Sequence, residues 1–229
     1  MEKSYVAGWT SESPTPAQLK EFFAQIESRR ITKKRLQSFL RGEWEDISVL
    51  LADWQQFYRE VFGLEVDLLG LSVPGREKGS DRLIVVAPEM TPQRLYNKCV
   101  ELFPCRKWTD DDLDKIVQSE RTAKNGAYSV WFRDVIEADE ELKNLSANDL
   151  KKKSIPGITF EERLLMELKY FKETDSHLDI NNWTLCSGSR YSDGDVPEVC
   201  WDSDAREFHV FWYHPESSDS LLRSRRAVS

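Results

Sequence analysis

Residues 159–171, TFEERLLMELKYF, carry the clearest secondary-structure signal in the chain and separate a helix-rich beginning from a β-rich end. Thr159 and Glu162 form a capping box, in which each side chain accepts a hydrogen bond from the backbone N–H of the other residue. Apolar side chains then recur at helical spacing, at Leu164, Leu165, Leu168 and Phe171. The sequence therefore predicts a helix here, with one apolar stripe facing a core.

Three helices are predicted in the first 63 residues. The first begins near Ala17, and the second takes Thr32 as its N-cap and has Gly42 just past its end. The third covers roughly residues 46–62 and has a good stop in Gly63. This part of the chain reads as a helical subdomain.

The middle of the chain mixes the two periodicities. Residues 82–87 are apolar and β-branched, which predicts a strand covered on both faces, and residues 127–133 predict a second strand. Thr91 followed by proline is a strong helix start, and that helix stops at Pro104. Residues 137–152 look helical but very polar.

The chain ends in a β pattern. Residues 183–186, 197–201 and 207–213 are short β runs joined by turn residues, which predicts a small antiparallel meander. Helices followed by mixed elements and a meander favour an α+β fold. We expect a loose lead-in at residues 1–16, a helical subdomain at 17–63, an α+β domain at 64–216 and a polar tail at 217–229.

Composition places the chain in an ordinary class. It has 229 residues, 40% hydrophobic and 31% charged, with a net charge of −8 that disfavours general adhesion to nucleic acid or anionic membranes. It lacks the apolar region of a signal peptide, and no apolar run approaches the length of a membrane span. We expect a cytoplasmic protein without membrane contact, and its four cysteines to be reduced thiols.

The stretch at residues 184–194, TLCSGSRYSDG, is the first candidate site. Glycines, hydroxyls and an arginine together resemble an anion cradle in composition. Neither the P-loop frame nor the G-x-S-x-G frame fits. The favoured interpretation is a polar hairpin loop whose side chains bond their own backbone. If it binds an anion, the expected ligand residues are Ser187, Gly188, Ser189, Arg190 and Asp193.

A basic run at residues 29–35, RRITKKR, is the second candidate site. It lies at the junction of the first two predicted helices, where a helix-turn-helix would contact phosphates. The expected contact residues are Arg29, Arg30, Lys33, Lys34 and Arg35. A solvated turn is the favoured interpretation, because the second helix carries no run of base-reading side chains.

The sequence gives little support for a metal site or for a catalytic or redox-active cysteine. Cys99 and Cys105, and likewise Cys186 and Cys200, lack the close spacing of structural zinc sites. Two acidic clusters, at residues 110–114 and 137–141, fit no EF-hand frame and are interpreted as solvated surface. Four tryptophans in and before the meander are expected to be core, with stacking on sugars or bases as the alternative: Trp131, Trp183, Trp201 and Trp212. No metal and no cofactor are predicted.

Residues 137–149 and 185–194 resemble segments of a group of bacterial hypothetical proteins, with the likeness extending from about Asp81 onward. The helix-turn segment at residues 30–40 is similar to an N-terminal segment in other bacterial hypothetical proteins. The resemblance implies a bacterial, cytoplasmic source and implies no activity.

The sequence favours a non-enzymatic protein that recognises a partner, either protein or nucleic acid. The basic helix junction is the expected contact module, and the meander loop is a second recognition surface. The alternative is a small-ligand binder or enzyme in which the loop from Ser187 to Arg190 holds a phosphate or carboxylate, with Asp193 as the acid–base or metal-binding group.

Overall fold

The computed structural model of this protein describes residues 14–27, 36 and 47–229. The chain divides into two compact units, Met1–Ile47 and Ser48–Ser229. In the first unit, helix α1 runs over Pro16–Glu27, close to the predicted start at Ala17. The second predicted helix, which begins at Thr32, lies outside the described residues except for Leu36.

The second unit has an α+β fold, as predicted. Its helices are α2 (Ile47–Phe57, continued by a π-helical turn at Tyr58–Phe62), α3 (Pro92–Leu102), α4 (Leu113–Ile116), α5 (Ala147–Lys152) and α6 (Phe160–Thr174). Its strands are β1 (Arg82–Val86), β2 (Cys105–Lys107), β3 (Val117–Ser119), β4 (Tyr128–Phe132), β5 (Trp183–Leu185), β6 (Ser189–Tyr191), β7 (Val196–Asp202), β8 (Glu207–Tyr213) and β9 (Leu222–Arg223).

Three sheets arise from these strands. The largest has the order β2-β8-β7-β5-β9, and its antiparallel β5–β7–β8 core is the predicted meander. Strands β2 and β9 extend it as parallel neighbours of β8 and β5. Strands β1 and β4 form one antiparallel pair, and β3 and β6 form another. Strand β6, which lies in the loop of the predicted meander, therefore pairs with β3, a segment about seventy residues earlier in the chain.

From its second residue, Ser48, helix α2 belongs to the second unit, whereas the sequence predicted a boundary after residue 63. Its Trp54 Nε1 donates to the Leu83 carbonyl at 3.1 Å, and the Tyr58 hydroxyl donates to the Val85 carbonyl at 2.7 Å. Both side chains are buried in the same core as strand β1. The change from helical to strand periodicity near Gly63 thus marks a turn between two elements of one core.

The predicted helix starts are confirmed by their caps. Thr91 accepts a hydrogen bond from the Arg94 N–H at the start of α3, with Pro92 as the first helical residue. At α6, the Thr159 hydroxyl accepts from the Glu162 N–H while the Glu162 carboxylate accepts from the Thr159 N–H, which completes the predicted capping box. Residues 137–152 differ from the prediction, because only a 3₁₀ turn at Glu140–Leu142 precedes the short helix α5.

Helix α6 is buried on every side over its first ten residues, although its sequence predicts one apolar stripe. All ten side chains from Phe160 to Lys169 are buried, and five of them are charged. Helix α3 and strand β1 pack against it, and the guanidinium of Arg163 lies over the ring of Phe208 in the large sheet at 5.7 Å. The charged positions of α6 therefore require partners inside the protein.

Those partners form a buried ionic network, which we call the Asp179 cluster: Arg163, Glu167, Asp179 and Arg225. Arg163 contacts Glu167 and Asp179, each at 2.8 Å, and Arg225 contacts the other oxygen of Asp179 at 2.6 Å. Side-chain exposure is 0% for the first three and 1% for Arg225. Burial would raise the pKa of Asp179, but Arg225 and Arg163 outweigh burial and lower that pKa.

The C-terminus corrects the sequence prediction of a polar tail at residues 217–229. Residues 222–225, 227 and 228 are buried, β9 joins the large sheet, and Val228 bridges to Trp131 of β4. Two arginines of this segment have acidic partners far away in the sequence, since Arg223 pairs with Glu140 and Arg225 with Asp179. Composition alone does not reveal such pairing.

Over residues 14–27, 36 and 47–229, no helix has both the length and the apolar composition needed to cross a membrane.

We predict that Arg225→Met lowers the free energy of unfolding by about 3–5 kcal/mol, measured by urea denaturation. The change leaves part of the Asp179 charge unpaired and removes the donors to the Val135 and Ile136 carbonyls, which Arg225 reaches at 3.0 and 2.7 Å. The neighbouring Arg226→Ala is the matched control, since Arg226 and its partner Glu77 are 53% and 52% exposed. The control is expected to cost about 1 kcal/mol or less. Equal effects of the two changes would contradict the structural role of the Asp179 cluster.

Candidate functional site

The predicted anion loop packs against the beginning of α6. Ser187 is buried, and its hydroxyl lies 2.9 Å from the hydroxyl of Ser224. The N–H of Gly188 donates to the Ile158 carbonyl at 3.0 Å. A Cβ on Gly188 would lie 2.8 Å from the Gly157 carbonyl oxygen, so only glycine fits this close approach.

The hydroxyl of Ser189 serves the N-terminus of α6. It accepts a hydrogen bond from the Phe160 N–H at 2.8 Å and lies 2.7 Å from the Ser119 hydroxyl. Ser119 in turn donates to the carboxylate of Glu161. Burial raises the pKa of Glu161 to about 7, against the hydrogen bond from Ser119, which lowers it. This chain of hydrogen bonds satisfies buried polar groups at a helix start.

Arg190 and Asp193 do not join these hydroxyls. Arg190 is half-buried, and its Nη1 donates to the carbonyls of Ser187 and Ser189 at 2.9 and 2.7 Å. Burial lowers the pKa of Arg190. Asp193 is exposed and accepts from the Asp195 N–H at 3.1 Å in a local turn. The hydroxyls of Ser187 and Ser189 therefore bond groups inside the protein, while Arg190 and Asp193 lie nearer the surface.

The second predicted site is the basic run at residues 29–35. Arg29, Arg30, Lys33, Lys34 and Arg35 lie outside the described residues. The helix-turn-helix interpretation of this basic run stays a prediction.

A cluster on the large sheet combines a thiol, an imidazole and a carboxyl group. Cys200 of β7 is the register partner of His209 on β8, and Glu198 lies two residues before Cys200 on the same face. Burial raises the pKa of Glu198 to about 8 and raises that of the Cys200 thiol. A raised thiol pKa disfavours the thiolate that nucleophilic chemistry needs. The sequence shows that Glu198 and Cys200 are two residues apart in a predicted strand and so share one face of it. It does not show that Cys200 pairs with His209 of β8.

The other histidine near the core is held in place. Nδ1 of His177 lies 2.8 Å from the Glu167 carboxylate, and the ring stacks on Trp201 with centroids 3.4 Å apart.

The four cysteines are free, and the described part of the chain has no group of three or more His, Cys, Asp or Glu side chains suited to a metal ion. The acidic run after Thr109 includes two helix-capping residues, because Asp112 caps α4 and Asp114 accepts from the Gln93 N–H of α3.

An open concavity of about 460 Å³ lies beside α3. Its lining residues are Phe62, Thr91, Gln93, Arg94, Asn97, Lys98, Glu101 and Asp114. Most of these polar groups bond each other, as Gln93 does with Asn97 at 2.7 Å and Thr91 with Asp114 at 2.8 Å. The concavity therefore leaves few groups available to a ligand.

The most distinctive surface is an aromatic one, which we call the Trp patch: Trp108, Trp212 and the underlying Tyr191. Trp108 is 37% exposed and Trp212 is 46% exposed, with ring centroids 6.4 Å apart. Trp108 also contacts Tyr191 at 5.5 Å, and the Tyr191 hydroxyl donates to the Phe211 carbonyl at 3.2 Å. The exposed ring of Trp108 thus contacts both the exposed ring of Trp212 and a buried, hydrogen-bonded third ring.

The tryptophan prediction is only partly confirmed. Trp131 is buried, Trp183 and Trp201 are partly buried, and Trp212 is exposed near the end of β8 farthest from the β7–β8 turn. The sequence did not single out Trp108, because it follows β2, a short strand whose pairing with β8 joins residues about one hundred positions apart. That pairing brings Trp108 beside Trp212.

Four carboxylates lie within a few residues of Trp108 or Tyr191 in the sequence. Asp110 and Asp111 come two and three residues after Trp108 and are exposed. Asp193 and Asp195 lie in the turn after Tyr191, where the Tyr191 N–H donates to the Asp195 carbonyl at 2.7 Å. None of the four forms an ion pair with any side chain in the described part of the chain.

No protein-family model, no curated protein and no solved structure matches this chain.

We predict that Gly188→Ala destabilises the protein by about 1–3 kcal/mol, because the new Cβ overlaps the carbonyl oxygens of Gly157 and Ile158. The matched control is Ser192→Ala, an exposed position in the same loop. We expect the control to lie within about 0.5 kcal/mol of wild type in urea denaturation. A Gly188→Ala protein as stable as the control would show that the loop is not packed against α6.

We predict that Glu198→Gln becomes more stabilising as pH rises from about 5 to 8. The folded protein holds the Glu198 proton up to a pKa of about 8, whereas the unfolded chain releases it near 4.5. Between these values the wild-type group costs stability as pH rises, by up to about 1.4 kcal/mol per pH unit, and a neutral amide removes that cost. Urea denaturation across this pH range measures the difference. Glu216→Gln, at an exposed site, controls for the loss of one glutamate, and a pH-independent difference for Glu198→Gln would contradict the prediction.

Proposed function

We propose that this protein recognises a protein partner through the Trp patch and does so without catalysing a reaction. The observation that carries the proposal is the pair of exposed tryptophan rings, Trp108 and Trp212, held in contact at one end of the large sheet. Tryptophan and tyrosine are enriched at the centres of protein interfaces, where they contribute most of the binding energy.

The buried tyrosine that supports Trp108 favours recognition by a partner over a chance exposure of the ring. Tyr191 is buried, contacts Trp108 and is fixed by its hydrogen bond to the Phe211 carbonyl. A ring that is already held in its binding position loses little conformational entropy when a partner covers it. The loop that the sequence predicted as a recognition surface thus contributes Tyr191 and the turn at Asp193.

A protein partner fits this surface better than a nucleic acid does. Four aspartates lie within a few residues of Trp108 or Tyr191, and their charges repel the phosphates that dominate nucleic-acid affinity: Asp110, Asp111, Asp193 and Asp195. The basic run at residues 29–35 remains a separate proposal for contact with protein or nucleic acid. Its test is binding to duplex DNA at low salt, where a phosphate contact must weaken as salt rises.

The alternative of an anion-binding or enzymatic loop has weaker support. The hydroxyls of Ser187 and Ser189 bond partners inside the protein, which leaves Arg190 to hold an anion by itself. The neutral thiol of Cys200 and the small number of free groups around the concavity beside α3 favour no particular reaction. A cytoplasmic location and a bacterial source remain proposals on the basis of the sequence.

Selection from a random peptide library displayed on phage tests the proposal. We predict that the protein enriches peptides whose affinity falls at least about tenfold in both Trp108→Ala and Trp212→Ala, the loss typical of an interface hot spot. Leu69→Ala is the matched control, because Leu69 is 90% exposed and its loss also removes an apolar surface side chain. Thermal unfolding of each variant checks that the fold is kept.

Enriched peptides that bind both tryptophan variants as tightly as wild type would refute the proposal, and so would a failure to enrich any peptide.

A further inference from the structure

We infer that the protein segment recognised by the Trp patch is cationic, a stretch rich in arginine or lysine. This inference rests on the proposed function, since it names the chemistry of the partner at the same surface. It is argued from charge complementarity between four unpaired carboxylates and the partner that would cover the rings.

The four carboxylates differ from many other exposed acids of the protein. Elsewhere on the surface, cations neutralise such groups, as Arg59 does for Glu65 at 2.7 Å and Arg94 for Glu89 at 3.0 Å. Asp111 instead accepts a hydrogen bond from the Thr109 hydroxyl, and Asp193 accepts one from a backbone N–H. Hydrogen bonds of this kind orient a carboxylate and leave its charge uncompensated.

Two cations next to the Trp patch in the sequence, Lys107 and Arg190, are already engaged. Lys107, directly before Trp108, donates to the Asp111 carbonyl at 2.6 Å and lies over the Tyr96 ring at 5.8 Å. Arg190, directly before Tyr191, donates to two carbonyls of its own loop. Neither forms an ion pair with a flanking carboxylate in the part of the chain that the structure describes. These two cations therefore do not neutralise the carboxylates, and a cationic partner would supply a counter-charge.

The rings and the carboxylates favour the same kind of side chain. The face of tryptophan attracts a guanidinium or ammonium group more strongly than any other aromatic ring does. Aspartates around the rings hold the same cation by charge-assisted hydrogen bonds, and arginine can engage both at once. A neutral sugar would use the rings and leave the carboxylates unpaired, and a nucleic acid would be repelled by them.

Titration of the full chain with hepta-arginine at low salt, followed by tryptophan fluorescence and calorimetry, tests the inference. Hepta-citrulline is the matched probe, because citrulline keeps the shape of arginine without its charge. We expect hepta-arginine to bind at least about tenfold more tightly than hepta-citrulline and to weaken as salt screens the interaction.

Two double variants locate the effect, Asp110→Asn with Asp111→Asn and Asp193→Asn with Asp195→Asn. Each is expected to weaken hepta-arginine binding by about threefold to tenfold, as loss of a charge-assisted contact does. The matched control, Asp175→Asn with Asp204→Asn, removes the same charge from exposed positions away from the patch. We expect the control to stay within about twofold of wild type, which excludes simple attraction to a protein of net charge −8.

Several other results of these experiments would contradict the inference. Equal binding of hepta-citrulline, or equal effects of patch and control variants, would overturn the cationic partner while leaving the proposed function standing if Trp212→Ala still loses peptide binding. Tighter binding of spermine than of hepta-arginine would identify a small polyamine rather than a protein segment. Binding of a neutral oligosaccharide that Trp212→Ala abolishes would overturn both the inference and the proposed function.

Discussion

Two buried arginines share the carboxylate of Asp179, and the arrangement of the main unit depends on that contact. Arg163 comes from α6, Asp179 from the segment after it, and Arg225 from the last residues of the chain. Charges are costly to remove from water, and no one of these groups is stable in the interior without the others. The cluster therefore joins three segments of the chain, and it ties α6 and the segment after it to the C-terminal residues.

The need to give every buried polar group a partner also explains the loop at residues 186–191. A helix that starts inside the protein has backbone N–H groups that no water reaches, so neighbouring segments must accept their hydrogen bonds. Ser189 supplies one acceptor to Phe160, and Gly188 allows the two backbones to approach closely enough for that bond. The cluster of small hydroxyls that suggested a ligand site is thus used to build the beginning of α6.

Charge is distributed differently inside the protein and at its surface. The Asp179 cluster sets two cations against two anions, and the raised pKa of Glu198 keeps a further buried carboxyl group protonated near neutral pH. At the Trp patch, four carboxylates have no such partners. Balanced charge in the interior supports the fold, whereas unbalanced charge beside exposed rings is the property expected of a surface that meets a partner.

Local patterns in the sequence determined the α+β class, the capped starts of α3 and α6, the strands β1 and β4, and the β5–β7–β8 meander. These features depend on periodicity, capping and turn residues that lie within a few positions of one another. Tertiary structure alone decided that α6 is buried with its charges, that the C-terminal arginines are interior and that Trp108 lies beside Trp212. Each of these depends on partners tens of residues away or more, and the identity of a distant partner leaves no periodic trace in the sequence.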